Sequence, residues 1–228
     1  MALEIPAYNL FMMCESLRRE AFAPLPAGYS VRLCREDELE TWMALNAESP
    51  ESFPFLQDYY QRVYQNKGKL FFEKCLFVCD SQDTPVGTCF LWKAYGKITT
   101  LHWLKVLPQL EGLGLGRGLL SQVLAQAGPE DFPIYLHTHP SCFRAVHLYG
   151  EFGFRLLRGP AVGGRSNDFG KEPALPGAGH APGVLPAAEV RRHAPGAAPS
   201  RRGIAGGVLS TARGLFLLPS CPYKPFVL

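Results

Sequence analysis

The sequence predicts a mixed α/β fold in which a central, mostly antiparallel sheet is flanked by helices. Runs of alternating apolar residues, typical of strands, are interleaved with runs whose apolar residues recur at helical spacing. Two strand-like runs, 76–80 and 88–92, are separated by a polar turn and predict an antiparallel hairpin. Together these observations favour a sheet covered by helices over an all-helical or all-strand domain.

The elements follow in the order strand, two helices, hairpin, strand, helix, strand, helix and strand. A cluster of Pro and Gly before residue 30 marks the start of the first strand, and Pro108 ends the strand at 98–106, because proline cannot donate to a strand ladder. The predicted strands are 30–34, 76–80, 88–92, 98–106, 134–138 and 154–157, and the predicted helices are 35–46, 55–65, 117–126 and 143–149.

Composition divides the chain into three parts. With 228 residues, 47% of them hydrophobic, the chain is long enough for one domain with a sizeable core. We place that domain at 28–172, after an N-terminal extension, 1–27. In residues 173–228, Ala, Gly and Pro supply 27 of 56 residues, which predicts a largely disordered, low-complexity tail.

Charge and cysteine usage exclude several classes of function. Residues 173–228 carry six basic residues and one acidic residue, which gives this segment a charge of +5. Since the whole chain has a net charge of +3, residues 1–172 carry −2. A nearly neutral body argues against a nucleic-acid-binding face. The sequence has no apolar run of about 18 residues, which predicts a cytoplasmic protein without membrane spans. Seven cysteines without zinc-site spacing predict free thiols and no metal.

A glycine-rich turn between a predicted strand and a predicted helix carries the chemistry. Gly112, Gly114 and Gly116 alternate there, so backbone N–H groups can converge on an anion, for which pyrophosphate is a natural candidate. The spacing is not the Gly-x-Gly-x-x-Gly of dinucleotide-binding folds, because Arg117 and Leu119 occupy the two positions where the last glycine would fall. No Gly-Lys-Ser/Thr follows, so a nucleotide triphosphatase loop is excluded as well.

Two motifs resemble those of the GNAT superfamily of N-acetyltransferases. Residues 111–116 resemble its coenzyme A-binding motif, Arg/Gln-x-x-Gly-x-Gly/Ala after a strand ending in Val-x-Pro, with Glu111 where the family prefers Arg or Gln. Residues 142–154 resemble its second motif, with Cys142 in place of the usual Asn. The matching positions of the second motif are Ala145, Leu148, Tyr149, Gly153 and Phe154.

The resemblance implies a site as well as a fold. The sheet would be splayed beside the strand ending at Val106, and acetyl-CoA would bind in the cleft as co-substrate. The backbone of Leu104, Lys105 and Val106 would hold the pantetheine arm and the acetyl carbonyl, and Cys142 would lie beside the cleft. Tyr149 would protonate the departing thiolate. The residues implied to hold the pyrophosphate are Gly112, Leu113, Gly114, Leu115, Gly116 and Arg117.

Several assignments stay open at this level. The acceptor is an amine, of a small molecule or a peptide, and the chain could form a homodimer. A catalytically inactive coenzyme A sensor or partner-binding module is the alternative function.

The roles of several side chains also stay open. Glu48, His102 and Glu151 are candidate general bases. His137 and His139 are expected to be hydrogen-bonded rather than metal-bound. Five aromatic residues could line an acceptor pocket or belong to the core: Trp42, Tyr59, Tyr60, Tyr64 and Trp92.

Overall fold

The computed structural model describes residues 8–94, 96–162 and 165–170, and the predicted low-complexity tail, 173–228, lies outside them. The strands are β1 (Leu10–Cys14), β2 (Ser30–Leu33), β3 (Leu76–Cys79), β4 (Pro85–Ala94), β5 (Ile98–Val106), β6 (Ile134–Thr138), β7 (Arg155–Leu156), β8 (Ala161–Val162) and β9 (Arg165–Ser166). The α-helices are α1 (Leu39–Asn46), α2 (Phe53–Val63), α3 (Leu70–Lys74), α4 (Leu115–Leu124) and α5 (Phe143–Glu151).

Seven of these strands form one sheet, in the order β2-β3-β4-β5-β6-β1-β7. Each neighbouring pair is antiparallel except β5 and β6, which run parallel. The predicted mixed, mostly antiparallel sheet is therefore confirmed. Strands β8 and β9 form a separate two-stranded hairpin.

Strand β1 differs from the sequence prediction, which placed residues 1–27 outside the domain. All five of its residues pair with β6, and Met12 and Met13 also pair with β7, so this strand lies inside the sheet. Phe11 and Cys14 are fully buried. The segment Leu-Phe-Met-Met-Cys has no alternation of polar and apolar residues, because a strand covered on both faces needs none. The boundary at residue 28 therefore does not mark the start of the fold.

Two hydrophobic clusters cover the two faces of the sheet. Along β3, Leu76 and Val78 pack in one cluster, and Phe77 and Cys79 pack in the other, as the two-residue period of a strand requires. The first cluster contains the buried faces of α4 and α5, and the second contains those of α1, α2 and α3. Since both faces are covered by helices, the central strands are apolar on both sides.

The second cluster is aromatic and accounts for the five residues whose role the sequence left open. Each of them is at most 8% exposed and packs against other rings of the cluster, so they form core. Trp92 also lines a cavity, together with Phe90 and Thr99. Trp42, for example, makes edge-on contacts with Trp103 and Phe71 at ring-centroid distances of 5.2 Å. These residues are Trp42, Tyr59, Tyr60, Tyr64 and Trp92.

Across the described ranges, no helix combines the length and the apolar character that a bilayer crossing requires.

Candidate functional site

A cleft forms where β5 and β6 separate. The two strands are paired through Thr100 and Tyr135, near the start of each, and no further residue pair joins them among the described residues. Their carboxyl ends, at Val106 and Thr138, are therefore free of each other. The splayed sheet expected beside Val106 is present, and it leaves backbone groups of β5 without a partner strand on that side.

A β-bulge lies in β5 beside this opening. Thr88 pairs with Lys105 and Phe90 pairs with His102, so Cys89 of β4 faces two residues of β5 instead of one. One of the two, Trp103, has a φ of 54° and is 1% exposed. A bulky side chain in the left-handed region costs about 1–2 kcal/mol, so the surrounding contacts must hold this residue in place.

The bulge sets the direction of the peptide groups that follow it. The amide of Leu107 donates to the Val86 carbonyl at 2.8 Å, and the carbonyl of Lys105 lies against Gly87, where an added Cβ would come within 2.5 Å of it. Both groups point toward β4. Because successive peptide groups of a strand alternate in direction, the N–H and C=O of Val106 point the other way, into the cleft.

The glycine-rich turn joins β5 to α4. Gly112 and Gly114 have φ values of 84° and 86°, and no atom lies close enough to crowd a Cβ at either position, so backbone conformation rather than space demands glycine. The first hydrogen bond of α4 runs from the Gly118 amide to the Gly114 carbonyl. The amides of residues 114–117 therefore have no acceptor within the helix, and the helix dipole favours an anion in front of them.

Glu111 precedes this turn, and its side chain pairs with a residue of α5. Its carboxylate accepts a 2.8 Å hydrogen bond from the guanidinium of Arg144, in the first turn of that helix. Leu113, at the tip of the turn, is 52% exposed. A cation therefore stands beside the one carboxylate of the motif and offsets its charge next to the turn.

The side chain of Arg117 is engaged elsewhere. Its guanidinium donates to the Ala21 carbonyl at 3.1 Å and to the Glu151 carboxylate at 2.6 Å. Any part that Arg117 takes in anion binding therefore falls to its backbone amide. The same contact pairs Glu151, one of the candidate bases, with a permanent cation.

Helix α5 places the residues of the second motif against the end of β5. A Cβ added at Gly116 would lie 3.9 Å from Leu148 and 4.0 Å from Val106, so the glycine turn, β5 and α5 meet at this point. Tyr149, the next residue of α5, is 3% exposed and packs in the first hydrophobic cluster. Cys142 immediately precedes α5 and is 5% exposed.

The candidate base His102 does not reach the cleft. It is 2% exposed, and burial lowers its pKa to about 3. Both ring nitrogens have hydrogen-bond partners in the aromatic cluster: Tyr64 at Nδ1 and Thr100 at Nε2. An imidazole that is enclosed in the core and whose pKa is lowered by burial is a poor base and has no direct contact with a substrate, so the structure argues against this assignment. Glu48, the third candidate, lies in the loop after α1.

His137 in β6 and His139 just after it are hydrogen-bonded, as expected. His137 Nε2 lies 3.0 Å from Asn9 Oδ1, and His139 Nδ1 lies 2.9 Å from Ser141 Oγ. Within the described ranges, no group of three or more His, Cys, Asp or Glu residues is placed to hold a metal ion. Five described cysteines are buried and free, as the sequence predicted: Cys14, Cys34, Cys75, Cys79 and Cys89. Cys142 is disulfide-bonded, so the prediction of a free thiol is wrong at this position.

Several solved structures are similar to this chain at low sequence identity. A tandem GNAT protein from the clavulanic acid biosynthesis pathway superposes with a TM-score of 0.50 at 14% identity, over 67% of this chain and 51% of its own. A GNAT-family acetyltransferase from Colwellia psychrerythraea gives a TM-score of 0.48 at 13% identity, over 68% of this chain and 55% of its own. A GCN5-related N-acetyltransferase from Sphaerobacter thermophilus gives 0.45 at 18% identity, over 67% and 49%. The chain thus spans about half the length of these structures.

Sequence comparison gives the family directly. No curated protein sequence matches this chain. The family model described as "Acetyltransferase (GNAT) family" matches residues 36–154, which is more than half of the chain and includes β5, the glycine turn and α5. The chain therefore belongs to the GNAT family of acetyltransferases.

Proposed function

We propose that this protein transfers an acetyl group from acetyl-CoA to an amine by direct attack, without a covalent enzyme intermediate. One arrangement carries the proposal. The Val106 peptide is turned into the β5/β6 cleft, and a few residues further along the same chain segment the unpaired amides of α4 begin. The thioester carbonyl and the pyrophosphate, which lie at the two ends of the pantetheine arm of acetyl-CoA, would find donors in that order.

The residues at the site fit this co-substrate. The pyrophosphate would bind to the amides of residues 112–117, where positive φ values and the absence of side chains at Gly112 and Gly114 leave the backbone accessible. The pantetheine arm, which is a chain of amides, would pair with the unpartnered edge of β5 at Leu104–Val106, as an added strand would. Cys142 would lie beside the arm at the start of α5.

The chemistry requires little else from the protein. Attack of a neutral amine on the thioester carbonyl forms a C–N bond and breaks the C–S bond, while the amine proton leaves to a base or to water. The Val106 N–H would stabilise the negative charge that develops on the carbonyl oxygen. The Tyr149 hydroxyl would protonate the departing thiolate. Under this scheme Cys142 is not needed as a nucleophile.

The acceptor is proposed only as an amine, of a small molecule or a peptide. Residues 1–172 carry a net charge of −2, obtained by subtracting the +5 of residues 173–228 from +3, and this near-neutrality gives no reason to expect a nucleic acid.

Calorimetric titration with acetyl-CoA, followed by release of free thiol in the presence of a panel of amines, tests the proposal. We expect binding in the wild type, and turnover that falls sharply in Tyr149→Phe while acetyl-CoA binding is kept. Tyr135→Phe, at the closed end of the β5/β6 pair, is the matched control. Binding without turnover on any amine would favour the inactive sensor, and no binding by folded protein would exclude both functions.

A further inference from the structure

A chain of buried hydrogen bonds joins Tyr64, the residue that follows α2, to the bulge of β5. The indole Nε1–H of Trp103 donates to the Tyr64 hydroxyl at 2.9 Å, and that oxygen lies 2.5 Å from His102 Nδ1. His102 Nε2 lies 2.8 Å from Thr100 Oγ1, which donates to the Trp92 carbonyl at 3.1 Å. All five residues are at most 5% exposed, so water does not compete for these contacts.

The donors and acceptors of this chain can be assigned in one direction only. Thr100 has a single hydroxyl hydrogen, which it donates to the Trp92 carbonyl. The hydrogen between Thr100 and His102 must therefore belong to Nε2, which leaves Nδ1 as an acceptor for the Tyr64 hydroxyl. Burial keeps the imidazole neutral, because it lowers the pKa of His102 to about 3. Tyr64 then has its oxygen lone pairs available for the Trp103 indole.

The chain ends on the residue that makes the bulge. Trp103 has the positive φ, and its indole N–H is held by the Tyr64 hydroxyl. That hydroxyl is in turn oriented by its hydrogen bond to His102. Edge-on contacts with Trp42 and Tyr59, at 5.2 Å and 5.5 Å, restrict the ring further. A residue in a sparsely populated backbone region persists where its surroundings over-determine it, and strain of this kind is concentrated at functional sites.

We propose that Tyr64 and His102 are positioning residues for acyl transfer: they hold Trp103 in the bulge and so direct the Val106 N–H at the acyl carbonyl. The inference rests on the proposed function, because it assumes that acetyl-CoA occupies the cleft. Neither side chain touches the co-substrate. Their contribution passes through the backbone from Trp103 to Val106, and the pyrophosphate turn lies outside it.

The test follows the carbonyl itself and needs no acceptor amine. Acetyl-CoA labelled with carbon-13 at the acetyl carbonyl is bound to the full chain, and its infrared stretching band is compared with that of the free molecule. A hydrogen bond from Val106 N–H lowers the carbonyl frequency in the wild type. In Tyr64→Phe we expect most of this shift to be lost, while calorimetric affinity for coenzyme A without the acetyl group changes less than about three-fold, since the pyrophosphate turn is intact.

Tyr60→Phe is the matched control. Tyr60 lies in α2, four residues before Tyr64, and belongs to the same cluster. Its ring contacts Trp42 and Phe71, and it takes no part in the described hydrogen bonds that end at Trp103. We expect Tyr60→Phe to keep the full carbonyl shift. If Tyr64→Phe also keeps it, or if both variants lose it equally, the positioning role is overturned while the proposed function stands. Absence of acetyl-CoA binding in folded wild type would overturn both.

A second pair of variants guards against a folding defect in Tyr64→Phe. Thr100→Val removes the hydroxyl at the other end of the chain with little change of shape, and Thr100→Ser restores it. We expect Thr100→Val to lose part of the carbonyl shift and Thr100→Ser to recover it. Once an amine is found, turnover in Tyr64→Phe should fall on the order of 10-fold at saturating acetyl-CoA. The reason is that the acetyl carbonyl is misplaced while the pyrophosphate stays bound at the glycine turn. An equal shift in both Thr100 variants would count against the inference.

Discussion

The carboxylate of Glu111 and the guanidinium of Arg144 lie 2.8 Å apart and connect the segment before the glycine turn to the first turn of α5. Glu111 occupies the motif position where the GNAT superfamily prefers Arg or Gln. The ion pair places its cation on another element, about thirty residues later in the chain. Both side chains are largely exposed, so the pair can open when an anion competes for Arg144.

This pairing predicts the effect of charge changes on acetyl-CoA affinity. Glu111→Gln should tighten binding several-fold at low salt, because it removes a negative charge near the phosphates and releases Arg144. Arg144→Gln should weaken binding, because it leaves the Glu111 carboxylate unpaired beside the site. Titration calorimetry at low and high salt measures both effects, which should shrink at high salt. Glu36→Gln, in the remote pair with Lys69, is the control. Weaker binding by Glu111→Gln would contradict the prediction.

Two glycines of the turn should respond differently to alanine. At Gly114, with its φ of 86°, alanine costs about 1–2 kcal/mol of folding free energy and shifts the first amides of α4, so acetyl-CoA affinity should fall. At Gly116 the added methyl would make ordinary contacts with Leu148 and Val106, and the residue lies within α4. Gly116→Ala should therefore keep both stability and binding. Chemical denaturation and calorimetry on the two variants give the comparison; equal losses would argue against the described turn.

The N-terminal strand should be indispensable to stability. Phe11→Ala removes a fully buried ring from β1 and should lower the free energy of unfolding by about 3–5 kcal/mol. Met13→Ala, at a half-buried position of the same strand, should cost clearly less. Urea denaturation of both variants measures the difference. If Phe11→Ala were as stable as the wild type, β1 would not be part of the cooperative fold.

Titration of His102 should make the free energy of unfolding depend on pH. Its pKa falls from the ordinary 6.5 to about 3 because of burial, so between these values the unfolded chain binds a proton that the folded protein does not. This group's contribution is therefore fully present above about pH 6.5, and it declines by up to about 1.4 kcal/mol per pH unit as the pH falls toward 3.

His102→Gln removes that titration. We expect the variant to be less stable than the wild type at pH 7, where it lacks the fitted imidazole, and the two unfolding free energies to converge as the pH falls. Urea denaturation at a series of pH values from 7 to 4 follows the difference. A constant difference across that range would mean that His102 titrates alike in the folded and unfolded chains, contrary to its burial.

Much of the fold followed from local patterns. Strands at 98–106 and 134–138 have the bounds that alternation and the flanking prolines predicted, and α4 begins two residues earlier than predicted, at Leu115. The hairpin of β3 and β4 was predicted from the polar turn between them. Local signals suffice in these cases because side-chain period, turn chemistry and proline exclusion act over a few residues.

Other features depend on contacts between distant parts of the chain. The strand Leu10–Cys14 has no period of its own and is defined by β6, more than a hundred residues away. The pairing of Glu111 with Arg144 could not be read from either motif alone. A Tyr hydroxyl at position 64 gives no sequence signal that it supports a bulge at 103. For this reason the sequence left Tyr64 open between an acceptor pocket and the core, and it offered His102 as a candidate base.

The sequence by itself determined the family, the glycine turn and the residues of α5, because these depend on residue type at fixed local spacing. The tertiary structure decided which groups enter the cleft and which are enclosed. The Val106 peptide enters the cleft because a bulge shifts the alternation of β5. His102 does not reach the cleft, because it is buried in the core with Tyr64 and Thr100 hydrogen-bonded to its two ring nitrogens. Burial and hydrogen-bond direction arise only when separate elements pack, so no local pattern could have specified them.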